Sequence, residues 1–366
     1  MKCFSAQICH FRDEDKRRGN CFGGIARLKT AIKTLKSSDQ NVLWLNAGDF
    51  YQGTVWYSHF KWRVVARFNN LLNFDAMTLG NHEFDDGVGG LVPFLRNQTA
   101  PCVVSNIDTS ATPEMEGLCQ PSVVIRVGSR RIGIVGYLTQ ETLEVSNPGK
   151  LIISDELEAV TKEAERLHTN GVKIILGLGH SGYDKDMEIA EKVPHIDAVI
   201  GGHTHSFLYS GERKNPSNNV IEGDYPTIVT KSNGKRAAVV QAYAYTKYLG
   251  HLKMTFDDAG DLISWRGLPW LMDSAMAQDE DTQRELRGWK DELIQIGKTL
   301  VGSTDVVLFK TREGESTIGD VNLYLIGYFT AWTMTHLNHI NIFTMTTPMI
   351  FHYFYLAIRA IKGWSN

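Results

Sequence analysis

The sequence predicts an α/β fold, because short aliphatic runs ending in glycine and a polar residue alternate with amphipathic helical stretches. One grammar recurs along the chain. Val42-Leu43-Trp44-Leu45-Asn46-Ala47-Gly48-Asp49 is an apolar run, then glycine, then aspartate. Residues 74–79 lead into Gly80-Asn81-His82-Glu83, and residues 172–178 into Gly179-His180. Residues 196–200 lead into Gly201-Gly202-His203-Thr204-His205. Aliphatic runs of this length, closed by glycine, read as buried strands.

The elements follow in order. Residues 24–36 carry Ile25, Leu28, Ile32 and Leu35 at helical spacing, with Arg27 and lysines elsewhere, which predicts a helix. The strands at 42–49 and 74–83 come next. Residues 155–168 repeat the helical pattern through Leu157, Val160, Ala164 and Leu167, ahead of the strands at 172–180 and 196–205. Strands alternating with helices predict a central sheet covered on both faces. Ligands of such sheets bind beyond the carboxyl ends of the strands, where the four polar clusters fall. Residues 227–230, 237–242 and 248–256 read as further strands joined by turns such as Asn233-Gly234, in a second sheet that closes the domain. Residues 279–298 read as a polar connecting helix. Residues 321–361 are rich in Phe, Tyr, Ile and Met, but His336, Asn338, His339, Asn341, Pro348 and His352 interrupt them, so a membrane-spanning helix is disfavoured.

Bulk properties narrow the chemistry. The 366 residues suffice for one large α/β domain, alone or with a second piece appended. A net charge of -3 gives no basic excess for a polynucleotide partner, while small phosphorylated substrates stay open. The five cysteines Cys3, Cys9, Cys21, Cys102 and Cys119 allow disulfides, and their spacing is not that of a zinc knuckle. Asn97-Gln98-Thr99 is a glycosylation sequon, used only on export. Residues 1–9 show no long apolar core and no cleavage pattern, so no signal peptide is read there.

Taken singly, each cluster has a bland reading. Asp49 could cap a helix, and His82 could be a turn histidine bonded to backbone. Together they point elsewhere. His180, His203 and His205, all at glycine-preceded strand ends and joined by Asp49 and Asn81, form a candidate metal-ligand set. Mixed His, Asp and Asn ligation favours zinc or manganese over an all-oxygen calcium cage. Two adjacent divalent ions suit phosphoryl chemistry by binding substrate oxygens and activating water, with Asp49 the natural bridge. Asp85, three residues after His82, is placed to orient that ring as a transition-state stabiliser or proton donor.

These motifs resemble the calcineurin-like metallophosphoesterases and, within them, the secreted 5′-nucleotidase/apyrase family. The likeness runs through Gly23-Gly24-Ile25-Ala26-Arg27, Ala47-Gly48-Asp49-Phe50-Tyr51-Gln52-Gly53-Thr54 and Gly80-Asn81-His82-Glu83-Phe84-Asp85. It continues in Gly136-Tyr137, Gly179-His180-Ser181-Gly182, Gly201-Gly202-His203-Thr204-His205, Gln241-Ala242-Tyr243 and Lys247-Tyr248-Leu249-Gly250. The resemblance implies a four-layer α/β-β/α metallophosphoesterase sandwich and metal-dependent hydrolysis of extracellular nucleotides: AMP, ADP or ATP. The enzyme would be secreted or anchored at the cell surface. By the same resemblance, Asp49 bridges two ions, zinc first with manganese or calcium as alternatives. Asn81, His180 and His203 bind the second ion, His205 the first, and His82 with Asp85 form the catalytic dyad. Arg312, like Asn81, would contact substrate phosphate, and Cys9 would pair with Cys21.

The departures are also informative. Family members begin with a strand ending in Asp-x-His that supplies the first metal; here His10 stands without an aspartate two positions before it. The large C-terminal domain that stacks the nucleoside base is not recognisable beyond about residue 320. The expected organisation is therefore a metallophosphoesterase domain at 1–278 lacking its first strand, a linker helix at 279–298, the start of the C-terminal nucleotidase domain at 299–320, and a divergent apolar tail at 321–366. A chain truncated at both ends, with an incomplete first-metal site, is the expectation. A non-catalytic or weakly active binder of metal and phosphate is the alternative to a working enzyme.

Overall fold

The computed structural model describes residues 21–39, 41–211 and 215–298. The readings made for Cys3, Cys9, His10, Arg312 and the 321–366 tail lie outside the described residues.

Two sheets face one another. The first is parallel, with β1 (Leu45–Asn46), β2 (Ala76–Met77), β3 (Cys102–Val103) and β4 (Cys119–Gln120) in that order. A disulfide between Cys102 and Cys119 ties β3 to β4, and Cys21 is also disulfide-bonded. The second sheet has six strands: β5 (Ser122–Val127), β6 (Arg130–Leu138), β7 (Ile174–His180), β8 (Ala198–Ile200), β9 (Thr227–Thr230) and β10 (Arg236–Val240). Their spatial order is β9-β10-β8-β7-β6-β5, parallel in the middle and antiparallel at both edges.

The uninterrupted apolar runs form inner strands because both faces of each are covered. On β7, Ile174, Leu176 and Leu178 point inward to the clusters between the sheets, while Ile175 points outward to a layer of helices. The space between the sheets is filled by Ala76, Val103, Ile134 and Leu178. The outer cluster joins Val135, Ile175, Val199 and Val239 to the helices at Glu156–Thr169 and Tyr183–Lys192. At Gly136 the sheets come so close that a Cβ would overlap the Val103 carbonyl, so no larger residue fits.

Helices complete the layers. α1 (Ile25–Ser38), α2 (Val55–Phe60), α3 (Trp62–Leu72) and α4 (Gly87–Arg96) come from the first half of the chain. The Asn69 carboxamide of α3 accepts from Asn46 Nδ2 of β1 and donates to Met77 Sδ of β2, which seats α3 on the parallel sheet. The short α5 (Thr142–Val145) follows β6, and α6 (Glu156–Thr169) and α7 (Tyr183–Lys192) lie on the six-stranded sheet. The arrangement is the expected four-layer sandwich.

Two details differ from the sequence reading. Residues 227–230 and 236–240 do not make a separate sheet; they extend the sheet of β7 and β8. Ala237 and Val239 on one face of β10, and Ala238 on the other, are all buried, so this strand needs neighbours on both sides. Residues 248–256 split into Tyr248–Leu249 and Leu252–Phe256, which pair with different partners. The four motif strands also divide between the sheets, two in each, so their carboxyl ends meet across the sandwich.

The chain divides into two compact units, Met1–Leu286 and Arg287–Asn366, and the sandwich belongs to the first. α8 (Glu280–Gly297) crosses that division. Among the described residues no helix is long and apolar enough to cross a membrane.

Candidate metal centre

Asp49 and Asn81 follow strands of the parallel sheet, and His180 and His203 end or follow strands of the other. The loops pack without slack. A Cβ on Gly80 would overlap the Asp49 carboxylate, and one on Gly48 would lie 2.5 Å from the Gly80 amide nitrogen. Asp49, His203 and His205 have φ of 59°, 82° and 59°, the left-handed region that ordinary residues avoid. Strain of this kind persists where the surroundings over-determine it, and it gathers at functional sites.

The hydrogen bonds fix which nitrogen of each imidazole faces inward. His180 Nδ1 lies 2.6 Å from the Ala47 carbonyl, which can only accept, so Nδ1 carries the proton. Its Nε2 is buried and faces Asp49 Oδ2 at 3.0 Å, an ion pair when the ring is protonated. His203 Nε2 lies 2.8 Å from the Glu141 carboxylate, while Nδ1 faces Asn81 Oδ1 at 3.0 Å. Each ring thus has its far nitrogen engaged by an acceptor and its near nitrogen aimed at an oxygen. The two rings are 5.2 Å apart, centroid to centroid. In each pair the short gap between ring nitrogen and oxygen suits a proton or a cation.

The charges respond as such a gap requires. Burial alone would lower the His180 pKa, but Asp49 and the Ala47 carbonyl raise it to about 9. Burial raises Asp49, yet His180 and His82 outweigh it and hold the carboxylate well below its usual range. A proton therefore occupies the place a cation could take. Among the described residues no group of three or more His, Cys, Asp or Glu side chains stands as a ready-made metal cage. The four donors form two pairs, one of them completed by an asparagine. The donor set nonetheless fits a divalent ion, because a buried imidazole nitrogen lies beside a carboxylate and both would serve as ligand atoms if a cation replaced the proton between them. His205 is exposed, with its ring against Tyr245 at 5.4 Å. Desolvation lowers its pKa, against the pull of the Asp49 charge.

His82 and Asp85 come together as expected. His82 Nδ1 lies 2.7 Å from Asp85 Oδ2, and Ser146 Oγ donates to the other Asp85 oxygen at 2.8 Å. The Asp85 hydrogen bond raises the His82 pKa against desolvation, with help from Asp49. The His82 side chain is 44% exposed, so a ligand can reach it. Its backbone N–H donates to Asp49 Oδ1 at 3.0 Å, linking dyad and candidate ligand. Arg312 lies outside the described residues.

Sequence reasoning missed four residues that hold the site. Fully buried Glu83 accepts from the backbone N–H groups of Gly80, Asp49, Phe50 and Tyr51 at 2.6–3.0 Å, clamping the Asp49 loop to the Asn81 loop. Burial and the Asp49 charge raise its pKa to about 7, against the pull of those amides. Its signal was present: a glutamate three residues after a helix-capping position reaches back to the cap amide, here Gly80. Gln241 donates to Asp186 Oδ2 and the Gly202 carbonyl and accepts from Ser206 N, which pins the His203–His205 loop to α7. Ser146 and Glu141 complete the set, and nothing local in the sequence marks either.

The calcineurin-like phosphoesterase family profile matches residues 9–207. The chain is 43% identical over 326 residues to a snake venom 5′-nucleotidase of Gloydius brevicauda, covering 86% of this chain and 55% of that protein. It is 45% identical over 292 residues to the 5′-nucleotidase of Rattus norvegicus, covering 79% and 50%. It is 41% identical over 324 residues to an apyrase of Tabanus yao, covering 87% and 58%. The chain thus spans about half the length of these relatives. Among solved structures it is similar to a 5′-nucleotidase precursor from Thermus thermophilus, at TM-score 0.76 and 32% identity, covering 86% of this chain and 62% of the other.

Proposed function

Because the chain belongs to the calcineurin-like phosphoesterases, we propose that it hydrolyses phosphate from nucleotides outside the cell, as a 5′-nucleotidase or apyrase using divalent metal. The observation that carries this reading is the pair of inward ring nitrogens of His180 and His203, facing Asp49 and Asn81. Relatives named 5′-nucleotidase and apyrase support the substrate class, a relative from venom supports export, and the Cys102–Cys119 disulfide suits an oxidising compartment.

Asp49, Asn81, His180 and His203 would hold one ion, with Asp49 shared toward a second on the His205 side. Zinc suits this mixed set, with manganese or calcium as alternatives. When bound, such ions neutralise phosphate charge and make water a stronger nucleophile. The remaining roles fall to the chain itself. Glu83 holds the Asp49 loop in its strained conformation. His82, held by Asp85, whose hydrogen bond raises its pKa, donates a proton or hydrogen bond to the phosphoryl or leaving oxygen. Asn81 and Arg312 contact substrate phosphate. No side chain needs to form a covalent bond to phosphorus.

A second reading, a binder of metal and phosphate without turnover, is favoured by the division of the donors into two separate pairs, with His205 turned to Tyr245. Metal content of the purified chain, measured alongside phosphate release from AMP, ADP and ATP, separates the two. Bound divalent metal with EDTA-sensitive release of phosphate is the expected result, and two ions per chain would mean that other residues complete the first-metal site. About one ion or none, with no release, would leave the second reading.

A further inference from the structure

We propose that Glu141 is a positioning residue for His203: its carboxylate accepts a hydrogen bond from Nε2–H and so leaves the Nδ1 lone pair facing Asn81. Glu141 Oε2 lies 2.8 Å from His203 Nε2, and His203 Nδ1 lies 3.0 Å from Asn81 Oδ1. Both oxygens can only accept, so they compete for one imidazole proton. A carboxylate is the stronger acceptor, because hydrogen bonds to charged groups are about twice as strong as those between neutral groups. Without Glu141 the proton would move to Nδ1 and bond Asn81, and the ring would offer its lone pair on the wrong side.

The backbone aims Glu141 at this task. Thr139 N–H bonds the His180 carbonyl at 3.0 Å, so the turn after β6 is fastened beside the other inward-facing histidine. The Glu141 N–H bonds Thr139 Oγ1 at 3.2 Å, and its carbonyl accepts from Val145 N–H at 3.0 Å at the start of α5. Thr142 is fully buried and anchors the turn, while the Glu141 side chain stays 55% exposed. Among the described residues no lysine or arginine pairs with Glu141, so the His203 imidazole is its side-chain partner. A carboxylate behind a histidine ligand fixes its tautomer and raises its basicity, and losing one weakens metal binding about 10–100-fold. An exposed carboxylate that supports no core can be removed without unfolding the chain.

The metal consequence rests on the function proposed above; the tautomer does not. The test uses the full chain labelled with 15N-histidine, free of metal and at about pH 8, where ordinary imidazole is neutral. The His203 signals are assigned by their loss in His203→Ala. The native chain is expected to show His203 with Nε2 protonated and Nδ1 bare, and Glu141→Ala to move the proton to Nδ1. Glu141→Gln, whose amide oxygen can still accept, should keep most of the native tautomer. Zinc titration should show a dissociation constant about 10–100-fold weaker for Glu141→Ala and partial recovery for Glu141→Gln. An unchanged tautomer in Glu141→Ala overturns the proposal, whatever the zinc affinity. If the native chain binds no zinc but the tautomer moves, the metal-centre reading fails while the role of Glu141 stands.

Discussion

At the scale of single residues, the site depends on side chains that hold others in place. Glu83 accepts four backbone N–H groups with two oxygens, a job only a carboxylate of that length can do. In Glu83→Gln the amide NH2 would face two of those donors, with no acceptor for them. A loss of about 2 kcal/mol in stability and at least a tenfold loss in metal affinity are expected, measured by urea unfolding and zinc titration. Native metal affinity in that variant would mean the loop is held by other bonds. In the proposed function His82 and Asp85 act on substrate instead. His82→Ala should lower kcat for nucleotide hydrolysis by about 10²–10⁴ while leaving metal content intact. Asp85→Asn should do the same to a lesser extent and lower the upper limb of the pH profile, because the Asp85 bond raises the His82 pKa. A pH profile that Asp85→Asn leaves unmoved would remove His82 from the role of acid.

Among elements, the loop after α7 shows how polar groups are satisfied below the site. The chain turns from α7 to β8 through Val193, Pro194 and Ile196, whose carbonyls all accept from Lys231 Nζ. One buried ammonium thus closes the carboxyl end of a helix, where cations are favoured. Burial lowers the Lys231 pKa to about 8, against the pull of Asp197. Lys231→Met would fill the space and leave those carbonyls without their donor, which should cost about 3 kcal/mol by urea unfolding. A change below about 0.5 kcal/mol would show that water replaces the ammonium freely. β8 carries Gly201 to His205 at its far end, so this variant should also weaken metal binding.

For the whole molecule, pH dependence of stability reads out the buried charges of the sandwich. Asp197 lies at the start of β8, away from the candidate ligands, and accepts from Ile175 N–H at 2.8 Å. Burial raises its pKa from 3.8 to about 7, with the Ile175 bond and Lys231 opposing. A raised folded-state pKa means the folded form holds its proton where the unfolded form has lost it. That contribution is full below about pH 4 and is lost as pH rises through about 7, on the order of 4 kcal/mol at most. Asp197→Asn keeps the acceptor and removes the charge. Its stability relative to the native chain should therefore grow between about pH 4.5 and about pH 7.5, by urea unfolding at those two values. A constant difference would mean Asp197 titrates normally.

The sequence by itself determined the α/β alternation, the strands that end in ligand-type residues, and the pairing of His82 with Asp85. These are local properties: an apolar run with covered faces, a glycine where the backbone turns, and a spacing of three residues. It also presented Asp49, Asn81, His180 and His203 as a set, since each follows a strand in the same way. Only the tertiary structure decided that these strands belong to two opposed sheets, and that Asp49 meets His180 while Asn81 meets His203. It likewise decided that Glu141, Ser146 and Gln241 hold the site, since hydrogen bonds between residues up to 62 positions apart leave no periodic trace. Which imidazole nitrogen is bare depends on what lies behind each ring, and that is fixed only when the two sheets close on one another.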